Sequence, residues 1–176
     1  MITSLRSRAY NGRVGGLTPE EEQILIALLT RTRWAALATA RDDEPLASWV
    51  ATVADGEPGQ YLLHLSHLAL HTRYLIANPR ASLTFSEPDR EADRDPQTLA
   101  RVSLQGRVTE IARDSADYIA ARARYLTALP EAQVQFGLGD FYLMRFVTDN
   151  ARFVPGFGRA HRLAAETLND LLTTLR

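Results

Sequence analysis

The stretch LHLSHLALHTRYLIANPRASLTF, residues Leu63 to Phe85, places a strand, a helix and a second strand in close succession. Alternation up to Ser66 is typical of a strand, in which neighbouring side chains point to opposite faces. Apolar residues then recur at helical spacing, and Pro79 ends the helix because its ring cannot continue the hydrogen-bond pattern. The stretch therefore predicts two strands joined by one short helix that begins near Leu68.

The polar residues at the end of the first strand predict an anion site. We expect the hydroxyls of Ser66 and Thr72, the guanidinium of Arg73 and the free amides of the helix start to converge. Several donors and one fixed positive charge suit a phosphate dianion. In the alternative interpretation, Ser66 caps the helix and Arg73 lies in solvent. Spacing alone favours neither.

The three histidines of this stretch are also candidate metal ligands. His67 and His71 are four residues apart and can share a helical face, and zinc accepts three imidazoles if His64 joins them. However, the neighbouring residues are apolar or hydroxylic, and no carboxylate is close in sequence to orient the rings. We therefore favour polar histidines at the boundary of the core.

The rest of the chain predicts further short strands and a few helices. LTPEEEQILIALLTR is a helix with Thr18 as its cap, and RWAALATA and PLASWVATV are strands separated by a turn. ARVSLQGRVTEI is a long strand with a bulge at Gly106, and SADYIAARARYLTAL is an amphipathic helix. DFYLMRFVT and ARFVPG predict a hairpin turning at Asp149 and Asn150, followed by a helix whose leucine stripe ends at Leu175. The pattern predicts a mainly β, α+β fold: a small antiparallel barrel with flanking helices.

Composition limits the possible functions. The 176 residues carry a net charge of −1 and contain neither lysine nor cysteine. We therefore expect no nucleic-acid or anionic-membrane partner, no disulfide and no thiolate chemistry. No GxSxG, GxGxxG or phosphate-loop motif occurs. No apolar run approaches the ~20 residues of a membrane span, and the N-terminus lacks a signal-peptide core, so we expect a cytoplasmic protein.

The chain divides into an arm and one domain. Residues 1–17 contain arginines and glycines but no acidic residue, which predicts a mobile N-terminal arm or a segment ordered only by a partner subunit. Residues 18–176 have the length and apolar content of one domain with one core. Within it, Glu87 to Thr98 form a charged loop that crosses solvent or shapes a pocket. The glycines of PGFGR, Pro155 to Arg159, form a tight turn or let the backbone approach a flat ligand.

Three segments together resemble the pyridoxamine-phosphate-oxidase-like FMN-binding split barrels. The opening stretch is similar to their signature, above all in the haem-utilisation branch, where Ser, Leu-Ala, His-Thr and Asn-Pro follow at this spacing. DPQTLARVSLQGRVTEI and DFYLMRFVTDNARFVPGFGRAHRL are similar to two later segments of that branch. The matches run in order from about Trp34 to Leu163. The resemblance implies a six-stranded split barrel that forms a homodimer and binds one flavin per subunit in a groove between the chains.

The resemblance also implies which residues bind the cofactor. The residues at matching positions are Ser48, Trp49, Val50, Ser66, His71, Thr72, Arg73 and Arg101. The serine, threonine and arginine of the 66–73 segment would hold the FMN phosphate, with the histidine beside them. The backbone of residues 48–50 would run along the flavin ring, and Arg101 would contact the flavin or its phosphate.

The chain departs from the vitamin B6 oxidases of this family. It lacks their C-terminal Trp and Arg-Leu-His pattern, which argues against pyridoxamine phosphate as the substrate. Instead, the resemblance makes His161 in GFGRAHRL a candidate axial ligand of haem iron, with a surface position as the alternative. We therefore expect an FMN-binding, oxidoreductase-like protein of haem binding or degradation. The alternatives are a general FMN-dependent oxidoreductase or flavin reductase, and a flavin or haem carrier without turnover.

Small residues in the first strand give separate support for a dimer. Ala35, Ala36, Ala38 and Ala40 leave a barrel of such strands with little core of its own. We expect helices to cover one face of the sheet and a partner subunit to cover the other.

Overall fold

The structure, a computed structural model, describes residues 16–174. In chain order its elements are α1 (Pro19–Arg31), β1 (Trp34–Arg41), β2 (Glu44–Ala51), β3 (Val53–Ala54), β4 (Gln60–Ser66), α2 (Leu70–Ala77), β5 (Arg80–Ser86), β6 (Arg101–Glu110), α3 (Ala116–Ala128), β7 (Phe141–Gly156), β8 (Arg159–Ala164) and α4 (Ala165–Thr173). No helix within this range has both the length and the apolar character needed to cross a membrane. Residues 1–15 of the predicted arm and Leu175 lie outside the described residues, and Leu17 is buried in the core.

The strands form one curled antiparallel sheet. Their order is β2-β1-β5-β6-β7-β4-β3, and β8 pairs with β7 beyond this path. β2 and β3 are the first and last strands of this order, and only Thr52 separates them in the chain. With β2 and β3 taken as one bent strand, six strands make the half-barrel, and β8 extends it. The predicted α+β split barrel with flanking helices is confirmed.

The opening stretch folds as its pattern predicts. β4 ends at Ser66, α2 ends at Ala77 before the Asn-Pro pair, and β5 begins at Arg80. The side chain of Asn78 fixes this change of direction, since its amide donates to the carbonyl of Ala40 (3.3 Å) and its oxygen accepts from the amide of Arg80 (3.2 Å). The stretch thus contributes strands to two different parts of the sheet, with α2 at the crossing.

The predicted hairpin at Asp149 and Asn150 is wrong, because β7 continues through both residues to Gly156. The predicted bulge at Gly106 is confirmed: pairing between β6 and β7 shifts between Gln105 and Gly106, which leaves Asp149 as the extra residue of β7. A side chain at Gly106 is excluded, since its Cβ would lie 2.0 Å from a β7 carbonyl oxygen. The bulge bends β7 so that one strand pairs with β4, β6 and β8.

The turn of this region lies further on, in PGFGR. Gly156 pairs with Arg159, so the chain reverses through Phe157 and Gly158. Gly158 has φ +80°, a left-handed conformation that glycine adopts without strain. The glycines therefore form the tight turn between β7 and β8.

Two apolar clusters hold the helices against the sheet. Large side chains of β4, β5, β6 and β7 fill the half-barrel, and leucines of α1 and α4 close it. A second, smaller cluster lies under α3, where Leu62 and Leu143 of the sheet meet Ala121 and Tyr125 of the helix. This second cluster covers one outer region of the sheet and leaves the outer face of β1, β2, β5 and β6 without such a cover in residues 16–174.

Candidate functional site

The edge of the sheet at β2 carries three of the predicted cofactor-binding residues. Among residues 16–174, β2 pairs with β1 alone, so the peptide groups on its other side make no ladder hydrogen bonds within this range. Along the strand, Ser48 is half-buried, Trp49 is exposed and Val50 is buried. Ser48 and Val50 face the inside of the half-barrel, and Trp49 faces the outside. The strand can present backbone donors and acceptors to a flat ligand.

Ser48 and His71 are brought together by the fold. The Ser48 hydroxyl lies 3.1 Å from Nδ1 of His71, which joins β2 to the first turn of α2. Burial lowers the pKa of His71 below its usual value, so the ring is neutral at neutral pH. In the tautomer with hydrogen on Nδ1, that nitrogen donates to the serine and Nε2 carries a free lone pair.

The predicted phosphate-binding group does not form one open cluster. The Ser66 hydroxyl donates to Oδ2 of Asp140 at 2.5 Å and accepts from the amide of Leu68 at 3.1 Å. The Thr72 hydroxyl is fully buried and has no hydrogen-bond partner among residues 16–174. Arg73 is exposed, and its guanidinium makes no ion pair or hydrogen bond within the same range. Of the three, only Arg73 is ready to receive an anion.

The side chain of Arg101 hydrogen-bonds to the segment that precedes β6. Its guanidinium donates to the carbonyl oxygens of Gln97 (3.1 Å) and Leu99 (3.0 Å), and so fixes the short 3-10 turn at Pro96–Thr98 against the strand. Its predicted contact with a flavin stays a prediction.

His64 and His67 lie in aromatic surroundings. The His64 ring stacks on Phe136 at 3.8 Å, and its pKa falls to about 4 because of burial and two nearby arginines. The His67 ring stacks on Tyr142 at 3.6 Å, with Nε2 3.3 Å from Glu110. Residues 16–174 contain no group of three or more His, Asp or Glu side chains placed to hold a metal ion. This geometry agrees with histidines at the boundary of the core.

His161 is held at the junction of α1 and β8. Its ring stacks on Phe153 at 6.2 Å, and its buried Nε2 lies 3.4 Å from the carboxylate of Glu21. Glu21 is itself buried, pairs with Arg159 at 3.0 Å and accepts from the amide of Thr18 at 2.8 Å in a capping box. Burial by itself raises the pKa of Glu21, but the Thr18 amide, Arg159 and His161 together lower it below its usual value.

Two tryptophans mark the outer face of β1 and β2. The rings of Trp34 and Trp49 are parallel within 6°, with centroids 6.0 Å apart, and the residues are 55% and 59% exposed. Trp34, Asp140 and Glu21 were not among the predicted site residues. Asp140 reaches Ser66 only because β4 and β7 pair, and the local pattern of neither strand reveals that pairing.

The fold defines a split-barrel protein, and the residues described above form a candidate site at β2 and α2. The chain belongs to the CREG β-barrel family, whose model matches residues 23–169. The fold of the pyridoxamine-phosphate-oxidase-like superfamily is also found in a putative pyridoxamine 5'-phosphate oxidase from Listeria innocua (TM-score 0.58), at 13% identity over 77% of this chain and 98% of that one. The family match confirms the predicted split barrel, and the Listeria innocua structure shows the same fold.

Relatives of this chain are named for haem. It is 36% identical, over 87% of its length, to the "Non-canonical heme oxygenase HOZ, chloroplastic" of Arabidopsis thaliana, but spans only 45% of that protein. A heme-binding protein from Mycobacterium smegmatis is 29% identical with a TM-score of 0.75, over 88% of this chain and 62% of that one. HutZ, a heme storage protein from Vibrio cholerae, is 25% identical with a TM-score of 0.62, over 75% and 89%. The predicted haem-utilisation branch is confirmed by these relatives.

Proposed function

We propose that this protein binds haem, as an oxidoreductase-like split barrel of haem binding or degradation. The observation that carries the proposal is the surface at the start of α2. There, Leu68 and Leu70 are 76% and 44% exposed, and the guanidinium of Arg73, which has no partner in the described part of the chain, follows within the same turn. A porphyrin needs apolar contacts for its ring and a cation for its propionates. The haem-related names of the relatives support the same ligand.

A bound haem would supply the iron-centred redox chemistry, and the chain would supply binding and orientation. The exposed leucines would exclude water from one part of the ring. Arg73 would hold a propionate in a bidentate pair, which fixes the rotation of the ring as well as adding affinity. A carrier without turnover would use the same residues, and the name of the Vibrio cholerae relative favours that alternative.

FMN is the second candidate cofactor, with a general FMN-dependent oxidoreductase or flavin reductase as the corresponding function. The free edge of β2 at Ser48 to Val50 favours it, because peptide groups there can pair with the polar edge of a flavin ring. Phosphate binding by the 66–73 segment has a cost, however. Ser66 would have to release Asp140, and that carboxylate would repel the phosphate. Haem therefore takes precedence over FMN.

We also propose that the protein forms a homodimer and that the cofactor site lies at its interface. The centre of the outer face of β1, β2, β5 and β6 is formed by small or uncharged side chains that remain at least partly exposed, among them Ala36, Ala38, Ala47, Ser82, Ser103 and Gln105. Arg80, Arg101 and Arg107 lie at the ends of this face. A surface of this composition suits close approach of the same surface on a second copy. The exposed tryptophan pair continues the surface to the β2 edge, where the ligand would bind.

The dimer has its own test. Ala38→Arg places a long cation in the middle of this face and is expected to give monomers by light scattering, with unchanged circular dichroism. Ile119→Arg, at an exposed position of α3 away from the face, is the matched control. A dimer that tolerates Ala38→Arg as well as the control would exclude this face as the interface.

We propose a cytoplasmic location for this protein, as expected from its sequence. The Arabidopsis thaliana relative is named as chloroplastic. Fractionation of the native host, with the full-length protein detected by antibody, separates a cytoplasmic location from an organellar or exported one.

Titration with haemin and, separately, with FMN tests the proposed ligand. Soret absorbance and flavin fluorescence report binding to wild type, to Arg73→Ala and to Arg90→Ala, a control that removes an exposed arginine from the distant 87–98 loop. We expect saturable haemin binding that weakens about tenfold in Arg73→Ala alone, as for loss of a charge-assisted pair. Saturable FMN binding without haemin binding would put the flavin enzyme first. If neither ligand binds, the proposed function is refuted.

A further inference from the structure

The four histidines of the chain all lie in the described residues, and two of them have their Nε2 atoms enclosed. Nε2 of His161 is buried, close to Glu21 on one side and with the ring stacked on Phe153. Nε2 of His67 is buried as well, beside Glu110. An iron atom cannot reach either nitrogen unless α1 or the aromatic stack moves.

A third histidine is occupied by its packing. The His64 ring lies flat on Phe136, and the rings of Tyr125 and Phe141 approach it at 5.8 and 5.3 Å. No hydrogen bond in residues 16–174 fixes which of its nitrogens carries hydrogen. An iron ligand usually has its ring orientation and tautomer set by a hydrogen bond from the other nitrogen. His64 lacks this arrangement.

His71 has the arrangement that an iron ligand needs. Its Nδ1 is held by the Ser48 hydroxyl at 3.1 Å, and its Nε2 has no partner and is not enclosed within the described chain. With hydrogen on Nδ1, the free lone pair is on Nε2 and points away from β2. The serine therefore orients the ring, and no other group in residues 16–174 competes for the ligating nitrogen.

The neighbours of His71 also match the two other requirements of haem. Leu68 precedes it by three residues and Leu70 by one, and both expose apolar surface. Arg73 lies three residues after Leu70, on the same side of α2, and its guanidinium makes no ion pair or hydrogen bond within residues 16–174. An imidazole, an apolar surface and a cation thus lie within six residues at the start of α2. Around His161, Arg159 is paired with Glu21, whereas Arg162 is exposed and makes no ion pair or hydrogen bond within residues 16–174. The enclosed Nε2 is therefore the feature that sets His161 apart from His71.

We propose that Nε2 of His71 is the axial ligand of the haem iron and that Ser48 is its positioning residue, in place of His161. This inference rests on the proposed haem function and names its metal-ligating side chain. His161 then has a structural role, in which it joins the β7–β8 hairpin to the N-terminus of α1 through Glu21.

The experiment compares the Soret band and haemin affinity of wild type, His71→Gln and His161→Gln, with folding checked by circular dichroism and urea unfolding. We expect His71→Gln to remain folded, to lose the histidine-ligated band, and to bind haemin at least about tenfold more weakly. Added imidazole is expected to restore the band in this variant. His161→Gln is expected to keep the band and to unfold at lower urea concentration.

Ser48 provides a second, independent readout. Ser48→Ala is expected to weaken haemin binding about tenfold while the protein stays folded, and Ser48→Thr, which keeps a hydroxyl, to restore most of the affinity. The inference is overturned if His161→Gln loses the band in a folded protein, or if the band survives in His71→Gln. It is also overturned if imidazole fails to restore His71→Gln. If wild type binds no haemin, the proposed function fails together with it, which is a distinguishable result.

Discussion

Replacement of His64 by phenylalanine is expected to change how stability depends on pH. The folded protein holds this ring among Phe136, Phe141 and Tyr125, and its pKa falls from 6.5 to about 4, through burial and the charges of Arg113 and Arg122. The unfolded chain binds the proton near pH 6.5. Between these values the unfolded state carries more protons, so acid favours unfolding. The stabilising contribution is complete above pH 6.5 and is lost as the pH falls to about 4.

The magnitude follows from the size of the shift. The fall of the His64 pKa from 6.5 to about 4 corresponds to at most about 3 kcal/mol in the free energy of unfolding, and solvent screening of the partly exposed ring reduces this to about 2 kcal/mol. His64→Phe keeps a flat ring against Phe136 but cannot bind a proton. Urea unfolding at pH 7.5, 5.5 and 4.5 gives the free energy of unfolding of wild type and variant. Other titrating groups affect both proteins equally, so the difference between the two free energies reports on His64. Wild type should lose stability relative to the variant as the pH falls. Parallel curves would refute the argument.

Three other substitutions, with Gly139→Ala as a control for the first, test the packing by urea unfolding. Gly106→Ala is expected to lower the free energy of unfolding by about 3 kcal/mol or more, because its Cβ would lie 2.0 Å from a β7 carbonyl oxygen. The Cβ of Gly139→Ala would meet nothing within 4 Å, and this control should change the free energy of unfolding by about 0.5 kcal/mol at most. Equal effects would contradict the close approach at the bulge. Asp55→Ala removes a buried carboxylate held by two arginines and is expected to cost about 3 kcal/mol; a neutral result would mean that solvent already screens the group. Thr72→Val is expected to be neutral or stabilising by about 1 kcal/mol and to leave FMN affinity unchanged, because its hydroxyl is buried without a partner; weaker FMN binding would restore Thr72 as a phosphate ligand.

The helix and strands from Leu63 to Phe85 could be predicted because their signals are local. Alternation, helical spacing and the Asn-Pro pair each act within a few residues, and Thr18 likewise fixes its capping box with a residue three positions away. The error at Asp149 and Asn150 has a physical origin in the same rules. Residues that favour turns also favour bulges, and only the pairing of β7 with β6 decides between the two.

The contacts that define the site come from pairings between distant parts of the chain. Ser66 is 74 residues from Asp140, and Ser48 is 23 residues from His71. The sequence indicates which of these groups carry useful chemistry, but not that a carboxylate engages the Ser66 hydroxyl. The sequence therefore shows that Ser66, Thr72 and Arg73 are polar and close together in the chain. Only the fold shows whether each side chain is free to contact a ligand.

The edge strand β2 connects the proposed ligand to the proposed dimer. Charges and proline protect such an edge from pairing with other chains, and β2 has them only at its start, in Glu44 and Pro45. From Ala47 onward the edge is uncharged and ends beside the exposed Trp49. An uncharged edge of this kind requires a cover, and a ligand held between two subunits would provide it. A monomeric Ala38→Arg variant should therefore bind haemin at least about tenfold more weakly, because it lacks the contacts that the second subunit makes with the ligand. Unchanged affinity in the monomer would place the whole site within one chain.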